Sequence, residues 1–380
     1  MIHRYQKKGL NFVLDVNSGA VHLLDDISYA VSGLLDENMG DTCPQSIIDA
    51  LPDYTADEIR EAYDELYELK KAGQLFAQDD YIDVSRYIPV NAPVKALCLH
   101  VAHDCNLRCQ YCFASTGDFG QGRKIMPPEI AKKAIDFVIA RSGVRHNIEV
   151  DFFGGEPLMA WDTVTQTVDY ARSLEEKYNK KFRFTITTNG LLLDEDKRKY
   201  INENMDNCVL SLDGRREVND EFRKTVAGTG SYDTIVPKFK ALVDERDPNL
   251  DYYARGTFTS HNLDFAEDVL SIADAGFDRL SVEPVTADPG CGYDLTEDDL
   301  PKIEAEYDRL TDIMLERKKE GKPFTFFHFM VDLDQGPCVV KRLRGCGAGY
   351  EYVAVTPDGD IYPCHQFVGD PKYLMGDIWK

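Results

Sequence analysis

Three cysteines stand close together in Cys105-Asn106-Leu107-Arg108-Cys109-Gln110-Tyr111-Cys112, with three and then two residues between them. The loop follows an apolar run over residues 94–101 that reads as a buried strand. Thiolates are soft ligands, and three of them on one short loop can hold three irons of a cubic iron–sulfur cluster while the fourth iron stays open. An open iron is a place where a small molecule binds. A zinc knuckle draws on the same residue type, and chance spacing of cysteines is the bland alternative.

Other residues with chemical capacity recur at regular intervals downstream. Gly154-Gly155-Glu156-Pro157 joins two glycines, which let backbone approach a ligand closely, to a carboxylate suited to an ammonium group. Thr187-Thr188-Asn189-Gly190 and Ser211-Leu212-Asp213-Gly214 supply hydroxyls and short polar side chains, although Asx and Ser turns explain them equally well locally. Arg223 is either a carboxylate ligand or half of a surface salt bridge. Tyr111 and Phe113 flank the third cysteine, where they can cover a flat ring or serve as ordinary core.

The cysteine spacing, with an aromatic residue just before the third cysteine and a Gly-Gly-Glu-Pro turn one strand later, resembles the radical S-adenosylmethionine (SAM) superfamily. The resemblance implies a [4Fe-4S] cluster on Cys105, Cys109 and Cys112, with SAM chelating the open iron. It implies that Gly154, Gly155 and Glu156 hold the methionine amine, that Asn189, Ser211 and Asp213 form the SAM-facing rim, and that Arg223 meets the SAM carboxylate. Tyr111, Phe113 and the stretch Val282-Glu283-Pro284-Val285, with Val285 at its end, then fall to the adenine. Arg255 and Asn262 are candidate substrate contacts. A reduced cluster passing one electron into SAM leaves methionine and a 5′-deoxyadenosyl radical, and placement with exclusion of water is the task left to the protein.

These groups must be carried on a scaffold that brings them to one end. From 94 to 320, strands expected at 94–101, 148–153, 182–187, 207–212, 251–258 and 278–283 alternate with helices at 128–141, 162–178, 194–204, 232–243, 263–275 and 296–319. Such alternation argues for an α/β domain of parallel strands with helices outside, and ligands gather at the carboxyl ends of strands in such sheets. The family resemblance implies a six-stranded partial (β/α)6 barrel open on one side.

Residues 1–85 read as a separate winged-helix-like α+β domain, joined by a polar connector at 86–93. A hairpin at 12–16 and 21–24 precedes helical stretches, and Thr55 with Glu58 forms a capping box for a helix whose apolar face is Ile59, Ala62, Tyr63, Leu66 and Leu69. Acidic side chains crowd this unit, so phosphate binding is disfavoured and a peptide added along a strand edge is the better use. The stretch resembles the precursor-recognition domain of enzymes that modify ribosomally made peptides, which implies a precursor peptide held through its leader.

Lys+Arg 43 against Asp+Glu 66 gives a net charge of −23 over 380 residues, a surface that repels nucleic acid and membrane phosphates. With no signal peptide and no long apolar run, a cytoplasmic protein is the expectation, and ten cysteines are then poor candidates for a disulfide framework. Cys98 and Cys208 sit in expected strands and read as small buried hydrophobes. Cys338, Cys346 and Cys364 form a second group around the turn Thr356-Pro357-Asp358-Gly359-Asp360. Zinc is one reading of them; the portion over 321–380 resembles the start of a SPASM domain, apparently incomplete. That resemblance implies one or two auxiliary [4Fe-4S] clusters, with ligands of the second beyond residue 380.

The whole arrangement is similar to the maturases of SCIFF peptides, precursors with six cysteines in forty-five residues. It implies thioether formation between a cysteine sulfur and the α-carbon of an acceptor residue, threonine by resemblance, with a low-potential electron donor. A formylglycine-forming sulfatase-type maturase, a carbon–carbon crosslinking maturase and a non-enzymatic cluster-bearing peptide scaffold are the competing readings.

Overall fold

A computed structural model describes residues 1–79, 92–333 and 345–379. Cys338 and most of the expected connector lie outside the described residues. The described chain divides into two compact units, one holding 1–79 with 331–333 and 345–346, the other 92–330 with 347–379.

In the first unit, β1 (Ile2–Lys7), β2 (Leu10–Asp15) and β3 (Val21–Leu24) form an antiparallel sheet in that order, followed by α1 (Asp26–Ser32), α2 (Gln45–Ala50) and α3 (Ala56–Lys71). The strand β1 is additional to the expected hairpin; of its residues Ile-His-Arg-Tyr-Gln-Lys, Ile2 packs on the small core and Arg4, on the same face, donates to Ser32 Oγ and the Tyr29 carbonyl, so the buried face carries too few apolar residues to show an alternation. The capping box at α3 is present, with Thr55 Oγ1 accepting from Glu58 N and Glu58 Oε2 accepting from Thr55 N at 2.9 Å. Ile59, Ala62, Tyr63 and Leu66 are buried on one helix face and pack with Val13 and Val31. Helical spacing thus converts directly into this small core.

The second unit is built on β4 (Ala96–His103), the short β5 (Lys124–Ile125), β6 (Asn147–Gly154), β7 (Lys181–Thr188), β8 (Asn207–Ser211), β9 (Asp251–Phe258), β10 (Arg279–Pro284) and β11 (Thr325–Phe326). Between them lie α4 (Pro128–Arg141), α5 (Trp161–Tyr178), α6 (Glu195–Asn204), α7 (Arg216–Phe222), α8 (Tyr232–Asp244), α9 (Phe265–Asp274) and α10 (Leu300–Lys319). The strands from β4 to β11, leaving out β5, pair in parallel and in chain order. Each of the six expected strands is found within two residues of its expected ends. The short α7 was not expected, since seven residues carry too few turns to show a period.

Alternation along these strands sorts side chains onto two faces. Phe152, Phe182, Phe184 and Phe258 are buried on the outer face with Val164, Phe239 and Phe265, and the rings of Phe152 and Phe184 stack at 5.7 Å. Each such side chain contributes about 1.5–3 kcal/mol by leaving water. The opposite face carries Asp151, Phe153, Thr187, Ser211, Arg255 and Glu283, so the polar residues share the concave side.

After the barrel strands come β12 (Tyr352–Val355), β13 (Asp360–Tyr362) and β14 (Gly376–Asp377). Here β12 pairs in parallel with β4, and β13 and β14 add antiparallel strands beyond it. The turn expected around Gly359 is the β12–β13 hairpin. The part of the tail that carries Cys364 therefore continues the sheet that carries the first cysteine loop. Among the described residues, no helix is long and apolar enough to cross a membrane.

Candidate active site at the carboxyl ends of the strands

A cavity of about 280 Å³ opens where the parallel strands end, and Cys105, Cys109 and Cys112 all line it. The loop that carries them leaves β4 just after a register shift between His100 and Ala102, which re-aims the chain at the end of the strand. Two close backbone approaches fix it. A Cβ on Gly155 would lie 2.1 Å from the Asp104 carbonyl oxygen, and one on Gly117 would meet Cys105 Cβ at 2.6 Å. All three thiols are free, and burial pushes the Cys105 thiol up to about 12 and the Cys109 thiol up to about 11. Thiols held protonated in this way become ligands only when a metal displaces the proton. Among the described residues, no trio of His, Cys, Asp or Glu is preassembled around one metal ion.

Glu156 is 1 % exposed and is held by three donors: Leu158 N at 3.0 Å and Thr188 Oγ1 at 2.7 Å on one oxygen, Asn189 N at 2.8 Å on the other. Burial raises its carboxyl to about 7 despite these bonds. Its first role in the fold is therefore to tie the turn after β6 to the end of β7, while one side still faces the cavity. Asn189 extends the tie, donating from Nδ2 to Asn106 Oδ1 at 2.8 Å and lying 3.5 Å from Cys105 Sγ.

The ends of β8 and α7 supply a buried ion pair. Arg223 Nη2 donates to Asp213 Oδ1 at 2.9 Å, and Arg223 Nε lies at 2.9 Å from Oδ2 in ion-pair contact without hydrogen-bond alignment. Tyr111 OH donates to Asp213 Oδ2 at 2.5 Å, and Thr257 N donates to Oδ1 at 2.9 Å. Arg223 and Tyr111 line the cavity; Asp213, fully buried, does not. Asp213 thus stands one layer behind the rim it was expected to form, as the counterion that sets the two lining residues. The surface-salt-bridge reading of Arg223 gives way to a pair whose side chains are 11 % and 0 % exposed.

Of the other expected residues, Phe113, Gly154, Gly155, Ser211, Arg255 and Val285 line the same cavity. Asn262 does not: its amide caps the loop after β9, accepting from Thr259 N at 2.8 Å and donating to Asp268 at 2.9 Å. Substrate contact is thereby replaced by a structural role for Asn262. Cys98 and Cys208 are buried as expected, at 1 % and 0 % exposure.

Several lining residues went unread in the sequence, among them His365 and Thr257. His365 reaches the cavity beside Phe113 and Phe153, with its Nδ1 3.2 Å from the Tyr352 hydroxyl, and it follows Cys364 directly. Thr257 lies two positions beyond Arg255 on the concave face of β9, where strand alternation would have found it. Cys346 is exposed and belongs to the first unit.

Residues 99–253 match the model of the Radical SAM superfamily. An uncharacterised protein of Methanocaldococcus jannaschii, MJ0907, is 30 % identical over 176 residues, 46 % of this chain; the chain spans 57 % of that relative's length. A cysteine-type anaerobic sulfatase-maturating enzyme of Clostridium novyi is 26 % identical over 293 residues, covering 72 % of this chain and 74 % of the relative. Among solved structures, Streptococcus suis SuiB bound to precursor peptide SuiA superposes with a TM-score of 0.57 at 16 % identity, covering 100 % of this chain and 85 % of that one. The segment 99–253, which matches the Radical SAM superfamily model, contains the cysteine loop, the Glu156 turn and the Asp213 counterion.

Proposed function

We propose that this chain is a radical SAM enzyme that oxidatively modifies a ribosomally made precursor peptide. The observation that carries the proposal is the convergence of Cys105, Cys109, Cys112, Glu156 and Arg223 on one cavity at the strand ends. Cys105, Cys109 and Cys112 would hold a [4Fe-4S] cluster. Gly154, Gly155, Glu156, Asn189, Ser211 and Arg223 would receive the amino-acid end of SAM, and Tyr111, Phe113 and Val285 its adenine end. The donor set fits: soft thiolates suit iron, and a carboxylate and a guanidinium suit an ammonium and a carboxylate. When bound, the pair supplies an acceptor for a hydrogen atom of the substrate. The chain's own residues orient the peptide and exclude water.

The first unit would take the leader peptide by strand addition. Its sheet order leaves β1 and β3 as edges, and Val21 and Leu23 on β3 are 37 % and 61 % exposed. Support comes from SuiB, whose structure with its precursor peptide is matched over the whole length of this chain.

For the bond made, two readings stand. The C. novyi relative favours a sulfatase-type oxidation of a cysteine. A thioether maturase of the SCIFF kind is favoured by the separate strand-edged N-terminal unit, which a peptide with a leader would use. Cys364, whose neighbour His365 lines the cavity, would be a ligand of an auxiliary [4Fe-4S] cluster in either case. Reduced, reconstituted protein given SAM and a cysteine-containing precursor should form deoxyadenosine and either a peptide lighter by two hydrogens, for a thioether, or one in which a cysteine has lost two hydrogens and exchanged its sulfur for a water oxygen with release of hydrogen sulfide, for formylglycine. Retention of a thiol-blocked crosslink identifies the thioether; an aldehyde trapped by a hydrazine identifies formylglycine. SAM cleavage that persists after Cys105→Ala would refute the assignment.

A further inference from the structure

A polar chain crosses the wall of the cavity opposite the cysteine loop. Glu283, at the end of β10 and lining the cavity, accepts from Ser281 Oγ at 2.6 Å on one oxygen. Its other oxygen lies 2.8 Å from His328 Nε2, and His328 Nδ1 lies 3.0 Å from the Tyr307 hydroxyl. Strand, the turn Phe327–Phe329 and α10 each contribute one member, so the chain leads from the concave face into the helical layer. The side chains of Glu283 and His328 are 27 % and 23 % exposed, enough for exchange with water yet held in place.

The reading of the site as an oxidative peptide modifier, on which this inference rests, leaves a proton to be placed. Loss of a hydrogen atom from carbon leaves a peptide radical. To finish as a two-hydrogen oxidation, that radical must also lose one proton, from the thiol or N–H that forms the new bond, and one electron, to an oxidised iron–sulfur cluster. We propose that Glu283 takes this proton from the peptide and that His328 and Tyr307 pass it out of the cavity. As the new carbon–sulfur or carbon–heteroatom bond forms, the S–H or N–H bond breaks towards Glu283, and the electron leaves separately.

The surroundings suit an ionised acceptor. Burial alone would raise the Glu283 carboxyl, but Ser281, His328 and the Arg255 guanidinium on β9 together hold it below the ordinary range. Arg255 and Ser281 are register partners across β9 and β10, which sets the guanidinium beside the carboxylate. The charged and titratable groups that face Glu283 are therefore Arg255, His328 and Tyr307. None of them belongs to the cysteine loop.

The test compares deoxyadenosine formed, modified peptide formed and the pH profile of the second in reconstituted full chain with a precursor peptide. In Glu283→Ala the yield of modified peptide per deoxyadenosine should fall by about 10²-fold, the scale of one general base. Added acetate should restore part of it, and freeze-quenched samples should show a larger substrate-radical signal. In His328→Gln and Tyr307→Phe, which lie outside the cavity lining, deoxyadenosine formation should match the wild type while the acid limb of the peptide-modification profile moves. An unchanged yield ratio in Glu283→Ala, or a fall that neither acetate nor pH alters, would overturn the relay, the second result making Glu283 a peptide-positioning residue. Wild-type protein that forms no deoxyadenosine would instead overturn the reading of the site, and the relay with it.

Discussion

Asn189 Nδ2 donates to Asn106 Oδ1 across 2.8 Å, joining the end of β7 to the cysteine loop, while Asn189 N donates to Glu156. One amide thus couples two expected parts of the site, and its removal tests whether the loop is held from outside. Asn189→Leu leaves the Asn106 oxygen without that donor, a cost of about 1–3 kcal/mol. Reconstituted Asn189→Leu should lose iron faster than wild type on dialysis against a chelator, with little change in the far-ultraviolet spectrum.

The pair of Asp213 and Arg223 supports a second expectation. Asp213→Ala leaves a guanidinium only 11 % exposed without its counterion, which for a buried pair costs about 3–5 kcal/mol. The double variant Asp213→Ala/Arg223→Met should recover much of the loss, because no charge then remains to be compensated. Denaturant midpoints of the four proteins of the cycle measure this, and strict additivity of the two single changes would show that the pair is not coupled.

The distribution of what could be read follows from the range of the interactions. The six parallel strands are legible because each is an apolar run closed by turn residues, and α3 because Thr55 and Glu58 announce it. The cysteine loop is legible because its ligands are neighbours in sequence. Asp213 was placed on the rim because a carboxylate at a strand end looks available. Its partners Tyr111 and Thr257 lie 102 and 44 residues away, and no local pattern contains them. Asn262 misled for the reverse reason, since its amide is consumed by Thr259 and Asp268 nearby. The union of β12 with β4 is likewise invisible from either strand alone.

Glu156 makes stability depend on pH. Its carboxyl is raised from the ordinary 4.5 to about 7, by burial first, so the folded state binds the proton more tightly than the unfolded state. The stabilisation is complete below the unfolded value and is lost as pH rises through about 7, amounting to roughly 3 kcal/mol between those limits. In cluster-free protein, the difference in unfolding free energy between wild type and Glu156→Gln should therefore drift against wild type from pH 5 to pH 8. A difference that is flat over that interval would mean that the carboxyl titrates normally.

Gly155 lies where two loops touch. A methyl group there would sit 2.1 Å from the Asp104 carbonyl oxygen and 2.9 Å from the Gly117 carbonyl oxygen, both of them backbone, so no side chain can swing aside to admit it. Gly155→Ala must push the cysteine loop and the Gly117 segment away from the end of β6, and overpacking of this kind costs about 1–3 kcal/mol. The displacement acts on Cys105 first, since Gly117 also abuts its Cβ. Iron bound per chain should fall and SAM cleavage should fall with it, whereas Gly40→Ala, at a glycine with open space around its Cβ position and no left-handed backbone, should retain its iron. Equal iron content in the two variants would show that the cysteine loop adjusts freely, and the close approach at Gly155 would then have no part in shaping the cluster site.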